Sequence, residues 1–242
     1  RGGRAVDDRD LQVHASPGCD HPEQLGERLG GVGDVFEDMR GQDDVDGAIQ
    51  DALLHPLDSD PLPSLLRPGM KLTIAFDDVS LPLPPMTRPD IRQRVIEAVL
   101  DMAATAGVDD VHLIAALALH RRMTEAELRH AVGDRVYDAF APRGMLYNHD
   151  AEDPDGMTMI GETRHGEEVQ MSKRAATSDL IIYVNLNLVP MDGGHKSVSV
   201  GLCGYRSLRA HHNPQVMGEC WSYMAPESSA ARMLVCAASR AA

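Results

Sequence analysis

Several side chains in this sequence have the type and spacing to do chemistry. His120 lies in Ala118-Leu119-His120-Arg121-Arg122-Met123-Thr124, and an imidazole titrates near neutral pH, so it can take or give a proton. Asp77-Asp78 can hold a substrate hydroxyl, orient a histidine or bind a metal, or can simply form a turn. Asn148-His149-Asp150 reads first as a solvated turn. Asp192-Gly193-Gly194-His195-Lys196-Ser197 has glycines that let a ligand approach the backbone closely, and a lysine suited to electrostatic anchoring or covalent attachment. It lacks the spacing of a nucleotide phosphate loop. Further on, His211-His212 offers one imidazole to a metal whose other ligands come from a cofactor.

The elements that must position these groups are legible as patterns. Lys71-Leu72-Thr73-Ile74-Ala75-Phe76, bounded by Pro68-Gly69 and Asp77-Asp78, reads as a buried strand. Asp90 to Ala106 places Ile91, Val95, Ala98, Val99 and Met102 at helical spacing, with Gly107 following as a cap. Val111 to Ala116 reads as a second strand. Thr124-Glu125-Ala126-Glu127 opens a helix as a capping box, and Gly133 ends it. Lys173 to Ser178 closes another helix before a third strand, Leu180 to Val184. Alternating strands and helices imply βαβ units in an α/β fold with a Rossmann-like, mostly parallel sheet flanked by helices. Ligands of such folds bind beyond the carboxyl ends of the strands. Asp77 and Asp78, His120, and Asn185, Asn187, His195 and Lys196 all follow strands, so they are expected to face one crevice.

Composition excludes several classes of function. The 242 residues carry 23 Lys+Arg against 37 Asp+Glu, a formal charge of −14, which disfavours nucleic acid as a partner because phosphates repel such a surface. No run approaches the ~18 consecutive apolar residues of a spanning helix, so no membrane partner is expected. Cys19, Cys203, Cys220 and Cys236 are scattered without a C-x-x-C pair, which argues against a disulfide scaffold or zinc ribbon. With no secretory signal pattern, a cytoplasmic location is expected. No G-x-S-x-G or H-E-x-x-H motif occurs, and no G-x-G-x-x-G follows the first strand, which disfavours a hydrolase, a zinc protease or an NAD-type dehydrogenase. Residues 1–60 hold 15 acids and 5 bases. Residues 1–45 are expected to be an acidic, atypical leader, residues 46–220 the α/β domain and residues 221–242 a tail.

Taken in order, these pieces resemble the N-terminal domain of the nickel-pincer lactate racemase family. The resemblance runs from about Asp51 to Asn213. Asp51-Ala52-Leu53-Leu54-His55-Pro56 and Pro61 to Gly69 look like the family's lead-in. Phe76-Asp77-Asp78-Val79-Ser80-Leu81-Pro82 is similar to the D-x-[ST]-R-P loop. Ala116 to Glu127 is close to A-L-G-x-H-R-x-M-T-x-x-E, and Gly193-Gly194-His195-Lys196 is similar to S-G-G-x-K, with His212 sixteen positions after Lys196.

This resemblance implies racemisation or epimerisation of a small 2-hydroxy acid, and the departures from the family pattern given below lead to the expectation that it is not lactate itself. Its cofactors would be nickel and pyridinium-3,5-bisthiocarboxylic acid mononucleotide, attached covalently to Lys196 beside Gly193 and Gly194, with His212 the metal ligand and His211 its alternative. Planar Ni(II) suits sulfur donors completed by an imidazole. His120 matches an acid/base histidine and Asp78 the aspartate of the first loop. Cofactor-synthesis and insertion proteins are the implied partners.

Where the family has a carboxylate-binding arginine this chain has Leu81, so Arg88 is assigned to that role. Where the family has a second catalytic histidine after a proline, this chain has Pro190-Met191, and His195 or His149 is assigned instead. The family's C-terminal domain has no counterpart in these residues. The alternative from another class is a catalytically incomplete fragment, or a ligand-binding α/β domain.

Overall fold

The computed structural model describes residues 42–79, 88–162, 166–185, 200–211 and 213–214. Helix α1 spans Gln42–Leu54 and the short α2 Leu62–Leu65. Strand β1, Lys71–Asp77, is followed by α3, Ile91–Thr105, and β2, Asp110–Ala116. Helices α4, Glu125–Val132, and α5, Asp134–Phe140, lead through a single 3-10 turn to β3, Leu146–Asn148. A hairpin of β4, Met157–Glu162, and β5, Glu168–Ser172, precedes α6, Lys173–Ala176, and β6, Leu180–Val184. Helix α7 covers Tyr205–His211.

Four strands form one parallel sheet in the order β3-β2-β1-β6, and β4 and β5 pair antiparallel. The register runs Lys71↔Asp110 to Asp77↔Ala116 between β1 and β2, and Leu72↔Leu180 to Phe76↔Val184 between β1 and β6. Ala115 pairs with Asn148. Asn148, Ala115, Phe76 and Val184 therefore form one row across the sheet, and whatever follows that row stands on the carboxyl edge. The expected parallel α/β sheet is present. Strand β3 and the β4-β5 hairpin were not foreseen, because β3 is three residues long and β4 alternates exposed and half-buried positions without a clear period.

The two faces of the sheet separate by the two-residue period of a strand. Leu72, Ile74, Phe76, Leu113 and Ala115 pack against Ile96, Val99 and Ala103 of α3 and Leu128, Ala131 and Val132 of α4. Ala75, Ile114 and Ala116 face the other way, against Met171, Ala175 and Leu202. Each large, fully buried side chain in this core contributes roughly 1.5–3 kcal/mol relative to exposure.

The helix ends follow the chemistry legible in the sequence. The Asp90 carboxylate caps α3 by accepting from the Arg92 N–H at 2.9 Å. Thr124 and Glu127 form the expected capping box. Gly133 ends α4 with φ of +82°, a backbone conformation that strains any L side chain, and a Cβ there would also have to push aside the Gln93 amide, 2.5 Å away. Among the described residues no helix is long and apolar enough to cross a membrane. Residues 1–41 and 215–242 lie outside the described residues, so the expected leader and tail are not addressed, except that residues 42–45 belong to α1.

Candidate active site at the carboxyl edge of the sheet

Three consecutive strands deliver polar residues to one edge. Asp78 follows β1, His120 lies in the loop after β2, and His149 follows β3 directly. The His149 N–H bonds Ala115 O at 3.0 Å, extending the ladder by one step. The crevice expected from pattern alone is therefore populated.

Its central contact is between Asp78 and His120. Asp78 Oδ2 lies 2.9 Å from His120 Nδ1, with the Asp78 side chain 9% exposed and the imidazole 54% exposed. A carboxylate accepts, so Nδ1 is the protonated nitrogen and Nε2 carries the lone pair. The ring is thus held in the tautomer that presents a base to solvent, and the carboxylate is placed to compensate the positive charge that forms when Nε2 takes a proton.

Both partners are braced by their surroundings. Arg92, buried beneath them, donates from Nη1 to the carbonyls of Asp77 at 2.9 Å and Asp78 at 3.2 Å, while Nε and Nη2 grip the buried Asp90 carboxylate. His130 Nε2 approaches the same carboxylate at 3.5 Å. On the other side, the His120 N–H bonds Leu117 O at 2.8 Å, closing a turn in which Ala118 takes φ of +52°. The Ala118 N–H reaches Gly201 O at 3.1 Å. Asn148 clamps the end of the loop, accepting from the Met123 N–H at 3.0 Å and donating to Met123 O at 2.9 Å.

Much of the loop motif therefore serves position. Arg121 binds Glu127 bidentately at 2.9 and 2.6 Å, and this arginine, with the Thr124 cap, holds the Glu127 carboxyl down at about 2. Met123 is buried and Thr124 caps α4. His120 is held by this framework with its imidazole half-exposed.

A cavity of about 430 Å³ opens in front of it, lined by Ala118, Leu119, His120, Arg122, His149, Asp150, Ala151, Glu152 and Asp153. Arg122 is the arginine on its wall and bonds Asp150 through Nη2. Asp150 is in turn oriented by the Glu152 N–H at 3.1 Å. His149 corrects the expectation of a solvated turn at Asn148-His149-Asp150. It is 4% exposed, with Nε2 2.9 Å from Cys203 O. Burial lowers its pKa, with smaller opposing contributions from that hydrogen bond and Asp150. The solvated-turn reading failed because its partner, Cys203, is 54 residues away and no local spacing could reveal it.

Asp77 and Asp78 have separate surroundings despite adjacency. Asp77 is met by the buried Tyr183 hydroxyl, whose pKa is pushed up by burial and by the charge and hydrogen bond of Asp77. Tyr183 was not singled out from the sequence, since a tyrosine in a strand carries no signal beyond packing. Arg88 is exposed and directs Nε at His130 Nδ1, 3.4 Å away; it is not among the residues lining the cavity. Cys203 is buried, and its thiol is pushed up to about 12, which makes it inert as a nucleophile at neutral pH. Leu81, Met191, Gly193, Gly194, His195, Lys196 and His212 lie outside the described residues. Among the described residues no group of three or more His, Cys, Asp or Glu side chains could hold a metal.

The profile of the lactate racemase N-terminal domain matches residues 29–222. The chain belongs to that family. A lactate racemase of Lactiplantibacillus plantarum is 25% identical over 169 residues, covering 68% of this chain and 38% of the relative. Among solved structures, the lactate racemase apoprotein of Thermoanaerobacterium thermosaccharolyticum is similar with a TM-score of 0.66 and 20% identity, over 81% of this chain and 46% of that one. A Thermotoga maritima protein is similar with a TM-score of 0.52 and 16% identity, over 83% of this chain and 47% of that one. The chain thus spans under half the length of these relatives. The structural likenesses support the α/β fold that the sheet displays.

Proposed function

We propose that this lactate racemase-like chain acts as an isomerase on a small 2-hydroxy acid. The observation that carries the reading is the 2.9 Å contact between Asp78 and His120, whose ring lines the cavity. An imidazole whose tautomer is fixed by a carboxylate is suited to removing a hydroxyl proton. In this reading His120 Nε2 accepts the proton of the substrate 2-hydroxyl, and Asp78 holds the ring in place through the transfer.

The family resemblance assigns a nickel-pincer nucleotide to Lys196, with Gly193 and Gly194 beside it and His212 as the metal's protein ligand. The chain enters the segment bearing Lys196 at Asn185, just past β6 on the carboxyl edge. It emerges at Val200-Gly201, where Gly201 meets Ala116 and accepts from Ala118. Both anchored ends of that segment therefore stand on the edge that carries His120, which suits a group tethered at Lys196. The donor set asks one imidazole of the chain, so a protein cluster of three ligands is not required. When bound, this cofactor supplies the acceptor and donor of the α-hydrogen as hydride.

The substrate carboxylate calls for a cation able to bind it through two N–H groups. The sequence assigns this to Arg88. Arg122 is the second candidate, two residues from His120 on the cavity wall and already oriented by Asp150. His195 and His149 are the candidates for a second proton-transfer group.

The reading is tested by intact-mass measurement of the chain co-expressed with cofactor-synthesis proteins. The expected result is an adduct and bound nickel, both lost in Lys196→Ala. An unmodified chain without nickel would overturn the assignment and favour a non-catalytic ligand-binding domain.

A further inference from the structure

The polar groups on the cavity wall are almost all acceptors. Cys203 O can only accept a hydrogen bond, so the contact at 2.9 Å fixes the proton of His149 on Nε2 and leaves the lone pair on Nδ1. The residue is 4% exposed, yet among the described residues its Nδ1 has no partner and is not closed off, so this atom opens on the cavity that the ring lines. His120 gives its Nδ1 proton to Asp78 and keeps the lone pair on Nε2. Both rings therefore ask the cavity's occupant for a donor.

The carboxylates on the same wall add negative charge. Arg122 is the cation lining the cavity, and Asp150 already engages its Nη2. Asp153 accepts from the Asp155 N–H at 3.0 Å, but among the described residues no cation pairs with Asp153 or with Glu152. A ligand's second carboxylate would meet like charge here, and an alkyl chain would leave the acceptors unmatched. A hydroxyl brings a donor but leaves the charge uncompensated. A protonated amine supplies three donors and the opposite charge together.

We propose that the 2-hydroxy acid taken by this cavity has a side chain ending in an ammonium group, held by the Glu152 and Asp153 carboxylates with His149 Nδ1 as a further acceptor. This selectivity rests on the reading of the cavity as a 2-hydroxy acid site and names the class of acid it admits. Glu152 and Asp153 act on the far end of the substrate and decide which acid is taken up. Glu152 is exposed and Asp153 half-buried, so each contributes modestly and salt weakens both.

The test is titration of the full chain with four acids of one length: 6-amino-2-hydroxyhexanoate, 2-hydroxyhexanoate, 2-hydroxyadipate and gluconate. Affinity is read from the ¹H–¹⁵N shifts of the His120 and His149 rings, which localise binding to the cavity. The amino acid should bind about 10-fold tighter than 2-hydroxyhexanoate, 2-hydroxyadipate should bind weakest, and the preference should shrink at high salt. Glu152→Gln with Asp153→Asn, which keeps an acceptor for the Asp155 N–H, should bring the amino acid's affinity down to that of 2-hydroxyhexanoate. Equal affinity for these two acids, tightest binding of the diacid, or gluconate binding as tightly as the amine would overturn this proposal and leave the 2-hydroxy acid reading standing. Binding of none of the four would overturn both.

Discussion

Arg92 and Asp90, two residues apart and both buried, form a bidentate pair at 2.9 and 3.0 Å, and the remaining Nη1 of Arg92 holds the carbonyls of Asp77 and Asp78. The same carboxylate caps α3. One ion pair therefore joins the start of a helix to the loop that carries the carboxylate partner of His120. Replacing Arg92 with Met leaves Asp90 charged and buried, which should cost about 3–5 kcal/mol. Urea denaturation at pH 7 measures this; a loss under 1 kcal/mol would show that the pair does not brace the loop.

Asp78→Asn keeps the shape at the end of β1 but replaces an acceptor that matches the Nδ1–H tautomer with an amide. Inversion by the loaded chain should fall by about 10²-fold or more, with thermal stability little changed. Chiral chromatography alongside a melting curve checks both, and unchanged turnover would remove Asp78 from the mechanism.

Ala118 sits at φ of +52°, where the family motif has glycine. A non-glycine residue in this region costs roughly 1–2 kcal/mol, partly offset by the greater freedom that glycine has when unfolded. Ala118→Gly should therefore stabilise the fold by up to about 1 kcal/mol, read as a higher Tm. Destabilisation would mean that the turn before His120 does not hold this conformation.

Gly201 marks the opposite case. A Cβ there would lie 2.8 Å from Tyr183 Oη and 2.9 Å from Ala116 Cβ. Gly201→Ala should cost about 1–3 kcal/mol through overpacking, and pairing it with Tyr183→Phe should recover part of that loss in a double-mutant cycle.

The pH dependence of stability follows from the two half-buried or buried imidazoles. His149 and His112 both have pKa values lowered chiefly by burial, so the folded chain resists protonating them while the unfolded chain takes up protons below about 6.5. Stability from these groups is fully present above that pH and is lost as pH falls through the window toward their folded values. The urea midpoint should be lower at pH 5.5 than at 7.5, and His149→Gln should flatten part of that slope. Glu127, held at about 2, titrates well below this window.

The sheet and its flanking helices were legible because β1, β2 and β6 are short apolar runs and their helices carry local caps, as Thr124 with Glu127 and Gly133 show. Asp78 and His120 were legible as residues following strands, although their mutual contact, 42 positions apart, required the parallel register. The buried partner of His149, the Arg92 clamp and the cavity position of Arg122 depend on tertiary contacts that no periodicity reports. An arginine in the first turn of an amphipathic helix reads as solvated. Here the Asp90 cap draws it inward.

The central claim, that the base at His120 works on the hydroxyl of a 2-hydroxy acid, is tested most directly by chiral chromatography of a 2-hydroxy acid panel incubated with the nickel- and cofactor-loaded chain. Metal-dependent inversion of at least one acid, lost in His120→Gln, is the expected result. A chain whose mass shows the Lys196 adduct, yet which inverts none of them or inverts them equally well without His120, would contradict it.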